Sequence, residues 1–95
     1  MNIYGYTFSV ECPNDDAAIE YTLLIQHDEM ILVEDIIKAC KFPALYQEEI
    51  ADKLSQLLPG KISLSAEHQG VEVLTMRQGV EVLTTRYALF ENLFC

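Results

Sequence analysis

The chain holds few residues whose type and spacing suit chemistry, and each has a plain alternative. His27-Asp28-Glu29 is the densest titratable cluster, and Glu67-His68 is the second. A histidine beside two acids is the material of a general base or of half a metal site. Both groups fall in segments that read as turns, where adjacent side chains rarely converge, so each is expected to be solvated. No ligand spacing joins the two histidines into a zinc pair, and no metal or cofactor is expected. Asp15-Asp16 with Glu20, and Glu48-Glu49 with Asp52, are the carboxylate groups, and Glu48 and Asp52 share a helix face. Paired acids do acid-base work only when burial separates their pKa values, and these lie on polar surface. Ser9, Ser55, Ser63 and Ser65 belong to no nucleophile motif, and there is no glycine-rich phosphate loop. Catalytic residues are therefore expected to be none, and the chain leans away from enzyme.

Cysteine usage points the same way. Cys12, Cys40 and Cys95 are an odd count with no close spacing, which argues against a disulfide framework and a zinc site. Cys12 and Cys40 read as small buried apolar residues. Cys95 could oxidise to an intermolecular bridge in vitro.

Charge carries more information. Fifteen acids against six bases give a net charge of −9, and residues 1–37 hold eight acids and no Lys or Arg. These are Glu11, Asp15, Asp16, Glu20, Asp28, Glu29, Glu34 and Asp35. A field of this sign repels phosphate and anionic membrane surfaces, which disfavours direct nucleic-acid binding and membrane association. It attracts basic protein surfaces and speeds encounter with them, so the eight acids are the expected partner-binding residues. The bland reading is that an acidic surface keeps a small protein soluble.

The elements that must position these groups follow from periodicity. Residues 3–12 alternate, with Tyr4, Tyr6, Phe8, Val10 and Cys12 on one face. Residues 13–16 form a turn cluster, and residues 18–26 alternate again, so the two runs predict an antiparallel hairpin. A helix capped at Asn14 is the rival reading. From Glu34 the spacing turns helical, with Ile36, Ile37 and Cys40 on one stripe and a Glu34–Lys38 pair, until Pro43. A clearer helix is predicted over 44–58, with Leu45, Ile50, Leu54, Leu57 and Leu58 buried and Glu49 pairing with Lys53. Pro59-Gly60 stops it. A third strand over 61–66, a turn over 67–70 and a fourth strand over 71–76 follow.

Residues 69–77 and 78–86 repeat with a period of nine, differing only at Met76 against Thr85. Each unit reads as one strand with its own glycine turn, and a loop over 77–79 would pair the copies as a hairpin. In that register Met76 faces Val80, Leu74 faces Val82 and Val73 faces Leu83, so both faces are apolar, and the second face is expected to be covered by another subunit. The repeat also reads as a neutral tandem copy. In the tail, Leu89 and Leu93, then Phe90 and Phe94, recur four apart. Val71, Val73, Val80, Val82, Phe90 and Phe94 are the expected oligomer interface, through the C-terminal strands.

Ninety-five residues fit a single α+β domain over 1–95, with two helices on one face of an antiparallel sheet. The order is ββααββ plus a repeated strand or tail. A chain of this length buries roughly 60–65% of its unfolded surface, enough for one core. No apolar run is long enough to cross a membrane, and no basic stretch followed by an apolar run marks a secretory signal, so the cytoplasm is the expected compartment. The element order is similar to that of the tunnelling fold of pterin and purine enzymes, which assemble as barrels from several subunits. The resemblance is one of order alone, because that family's zinc-binding histidine pattern is absent here. It implies an oligomeric ligand-binding protein or enzyme with a site at a subunit interface. The leading expectation is different: a small acidic non-enzymatic interaction module that binds and inhibits or regulates a larger basic-surfaced target. That target could itself bind nucleic acid.

Overall fold

The computed structural model describes residues 1–80. Strands β1 (Asn2–Glu11) and β2 (Ala18–His27) pair antiparallel over their full length. Register follows the apolar alternation: Tyr4 opposes Ile25, Tyr6 opposes Leu23, and Phe8 opposes Tyr21. A one-residue slip would turn this whole stripe to solvent, so burial fixes the register. The aromatics stack along the face, with 6.1 Å between the Tyr6 and Phe8 ring centroids and 5.7 Å between Phe8 and Tyr21. The hairpin thus prevails over the helix capped at Asn14. Its loop is closed by Cys12 N–H donating to Ala17 O at 2.8 Å, and Asp16 takes a left-handed conformation at φ 59°.

Helix α1 (Val33–Ala39) and helix α2 (Gln47–Leu57) follow, then β3 (Lys61–His68) and β4 (Val71–Gln78). The sheet order is β1-β2-β3-β4, with every described neighbour pair antiparallel. The helices therefore leave β2 and return to β3 at the same end of the sheet, where Gln26 opposes Lys61. Ile50, Ala51 and Leu54 of α2 are fully buried in one cluster with Leu23, Ile25, Ile62 and Leu64 of the sheet. This is the expected α+β layer. No described helix is long and apolar enough to cross a membrane.

Several local expectations need correction. Leu57 is 59% exposed and leaves the buried stripe, while Gln47 joins it at 7%. Glu49 does not serve as a partner for Lys53; its Oε1 accepts the Tyr46 backbone N–H at 3.0 Å and closes the first turn of α2. The turn expected over 67–70 shrinks to Gln69-Gly70, both at positive φ (51° and 85°), which is the two-residue hairpin turn that matches strand twist. Glu67 and His68 are strand residues.

The loop expected over 77–79 is likewise absent. Arg77 and Gln78 continue β4, and Gly79 has no positive φ. Gly79 N–H instead donates to Gly60 O at 2.7 Å, Val80 N–H donates to Leu58 O at 3.2 Å, and Val80 bridges Pro59 in parallel. A Cβ at Gly79 would collide with the Leu58 and Gly60 carbonyls, so glycine is needed there for close approach. Val82, Phe90, Phe94, the rest of the second copy's strand and the tail after it lie outside the described residues.

Candidate functional site

The eight N-terminal acids are all exposed, and the fold divides them into two groups. Glu11, Asp15, Asp16 and Glu20 gather at the β1–β2 loop. Asp28, Glu29, Glu34 and Asp35 lie at the other end of β2. A ten-residue strand separates the two groups by about 30 Å. The expected single array is therefore two acidic poles.

The first pole gains two members that reading the N-terminal segment alone misses. The β3–β4 turn lies at the same end of the sheet as the β1–β2 loop. Glu67 opposes Glu72 across that hairpin, and both are exposed. Glu20, Glu67 and Glu72 border one shallow depression on the sheet face away from the helices. Residues 9–22 and 65–74, which build this pole, hold no Lys or Arg. Among the described residues the recorded ion pairs lie elsewhere: Arg77 Nε meets Asp52 Oδ1 at 2.8 Å and Arg77 Nη2 approaches Glu48 Oε1 at 4.0 Å. Glu48 and Asp52 are both exposed, as expected of a polar helix face, and they share the Arg77 cation from β4.

His27-Asp28-Glu29 does not converge, as expected of adjacent residues at a turn, but His27 departs from the expectation of a solvated group. His27 ends β2, half-buried, with Nε2 buried and lacking a hydrogen-bond partner among the described residues. Asp28 and Glu29 bend away exposed. His68 ends β3 at the opposite end of the sheet from His27, so the two histidines share no site. No group of three or more metal-ligating residues gathers among the described residues.

His68 has a different partner. On the helix side of the first pole, a cavity of about 320 Å³ opens between the two hairpin turns and the start of α2. Gln47 lies at its base. Its Nε2 donates to Leu64 O at 3.0 Å, Val73 O at 2.9 Å and Thr75 Oγ1 at 3.1 Å, while its Oε1 lies 2.7 Å from His68 Nε2. Two backbone carbonyls can only accept, which fixes the orientation of the amide. Oε1 is then the acceptor, and the neutral His68 ring must carry its proton on Nε2. A lone pair remains on Nδ1.

Tyr21 lines the same cavity. The residue is 2% exposed, and its hydroxyl has no hydrogen-bond partner among the described residues. Burial raises the pKa of this phenol, and the nearby Cys12 thiol adds to the shift. The Tyr21 ring meets His68 edge-on at 6.1 Å. At the rim, Tyr46 Oη donates to Asn14 Oδ1 at 2.8 Å, tying the α2 entry to the β1–β2 loop. Cys12, half-buried, lines the cavity, while Cys40 is buried elsewhere in the core and its thiol is pushed up to about 12. Cys95 lies outside the described residues.

Alternation and helical spacing could not reveal this cavity, because Gln47 finds its partners 17 to 28 residues away. The one signal was a polar residue at a position that the helical period turns inward. A larger depression of about 680 Å³ lies between Met30, Leu32, Leu57 and Val80. Its charged members are Asp35 and Lys38, of opposite sign, with no converging polar set. Of the expected interface residues, Val71 and Val73 are exposed on β4, and Val80 is half-buried.

No known protein family, curated protein or solved structure matches this chain.

Proposed function

We infer that the protein is a small, acidic, non-enzymatic interaction module that binds a larger basic-surfaced target and regulates or inhibits it. One observation carries the reading: the first pole sets Glu11, Asp15, Asp16, Glu20, Glu67 and Glu72 in solvent with no Lys or Arg in the segments that build it. Six like charges at one end of a small domain repel one another, and a cationic surface relieves that repulsion. Such an array would fit a groove that ordinarily holds a phosphate backbone, so a nucleic-acid-binding protein is the favoured class of target.

The test is binding of a basic nucleic-acid-binding protein to the intact chain at low and high ionic strength, with competition by DNA. Affinity should fall steeply with salt, because exposed charges are screened over a Debye length of about 8–10 Å near physiological ionic strength. Salt-insensitive binding, or simultaneous binding of DNA and this chain, would count against it.

Self-association through the C-terminal strands is a second reading, favoured by the exposure of Val71 and Val73 on β4. Light scattering on Val82→Lys tests it: a dimer that persists in the variant removes the repeated strands from the interface.

A further inference from the structure

We propose that the cavity beside Gln47 and His68 receives an arginine side chain of the basic partner. This rests on the reading of the first pole as the partner-binding end, and it adds where specificity comes from. Long-range charge attracts any cation and cannot by itself tell arginine from lysine. The cavity can.

Its free polar atoms match a guanidinium. His68 Nδ1 is an acceptor whose tautomer is held by the Gln47 amide. The Tyr21 oxygen is a second acceptor, on a side chain 98% buried and without a partner among the described residues (2% relative exposure). Guanidinium presents several donors in a rigid plane, and so can reach two separate acceptors at once; an ammonium is a compact point charge. Tyr46, tied to Asn14, gives a half-exposed aromatic wall against which a guanidinium plane stacks. Leu45 and Val71 offer apolar contact for the methylene stem.

Electrostatics select the same occupant. No Lys or Arg among the described residues lines the cavity, and Asp15 follows directly on the lining residue Asn14. The described lining holds no carboxylate either, so the bias towards a cation comes from the exposed acids of the surrounding pole, Glu11, Asp15 and Asp16 among them. Arginine is also less strongly hydrated than lysine, so it loses less on leaving water.

The test uses short oligo-arginine and oligo-lysine peptides of equal length and charge, titrated into the intact protein and followed by calorimetry and amide NMR shifts. Oligo-arginine should bind about tenfold tighter, the factor that corresponds to 1.4 kcal/mol. Shifts should centre on Tyr21, Tyr46 and His68. Tyr21→Phe removes a hydroxyl that has no partner among the described residues, and Val71→Trp fills the mouth from an exposed position, so both variants should fold. Each should shrink the arginine preference while leaving oligo-lysine binding unchanged. Equal affinity for both peptides, or a preference untouched by Val71→Trp, overturns the arginine assignment and leaves the acidic-module reading standing. If neither peptide binds at low salt, both fall.

Discussion

Gln47 Oε1 lies 2.7 Å from His68 Nε2, and this contact joins the first residue of α2 to the last residue of β3. The other end of the same amide reaches β3 and β4 backbone. One side chain therefore locks the helix to the sheet and sets which imidazole nitrogen is free.

Gln47→Glu keeps the shape and changes only the donors. A carboxylate cannot donate to the Leu64 and Val73 carbonyls, which would then face a buried charge. Loss of buried partners costs about 1–3 kcal/mol per group, more when charge is involved, so chemical denaturation should show a drop of at least about 3 kcal/mol. A stability within about 0.5 kcal/mol of the parent would show that the amide is not anchored as described.

Glycine substitutions should separate into two ranks. Gly70 has open space around it and a φ of 85°, so Gly70→Ala should cost about 1–2 kcal/mol for the left-handed backbone alone. Gly60 has a φ of 92°, and a Cβ there would strike the Gln26 carbonyl. Gly60→Ala should exceed Gly70→Ala by at least about 1 kcal/mol, and Gly79→Ala should also cost more than Gly70→Ala despite its ordinary φ. Thermal melts of the three variants check the order.

Cys40 gives a pH prediction with a definite sign. Burial lifts its thiol from 9.0 to about 12, so the folded state keeps a proton that the unfolded chain releases. This contribution is fully present below pH 9 and is lost as pH rises from 9 towards 12. Cys40→Ala should flatten the alkaline limb of a stability-against-pH curve. Native-state alkylation read by peptide mapping should label Cys12 well before Cys40. Equal labelling of the two would sink the prediction.

His27 holds a buried nitrogen with no partner among the described residues. Replacing such a group by an apolar one is nearly neutral or stabilising. His27→Leu should leave stability unchanged or raise it by up to about 1 kcal/mol, and a loss beyond about 1 kcal/mol would mean that Nε2 has a partner.

Charge reversal distinguishes the poles. Asp15→Lys with Asp16→Lys should weaken binding to a basic target at least about tenfold at low salt, since each close charge contributes on the order of 1 kcal/mol there. Glu34→Lys with Asp35→Lys should have a smaller effect. The reverse ranking, read by calorimetry, moves the binding end to the other pole.

The parts of this fold legible in the sequence are those with a local period. Residues 3–12 and 18–26 alternate because one face of each strand is buried, and their hairpin follows almost residue for residue. Ile50 and Leu54 mark α2 in the same way. Turn chemistry was less readable. Gln-Gly-Val-Glu occurs twice, and the two copies take different backbones: Gln69-Gly70 makes a turn, while Gln78-Gly79 continues from β4 into a backbone contact with Gly60. Identical tetrapeptides cannot announce different tertiary neighbours. The acids were legible as residues, but their division into two poles depends on strand length and topology. The cavity was not legible, because Gln47, His68 and Tyr21 meet only after two strands and a helix are in place.

The separation of the acidic poles has a consequence for stoichiometry. A molecule with a charged head at each end, about 30 Å apart, can hold two cationic bodies at once. Were the second pole to bind as well as the first, each copy would bridge two multivalent polycations near equal concentrations, and the solution would turn cloudy. With either component in large excess the ends saturate separately and the mixture clears. A rise and fall of turbidity along such a titration is the behaviour of a two-headed linker, and a one-ended inhibitor has no reason to show it.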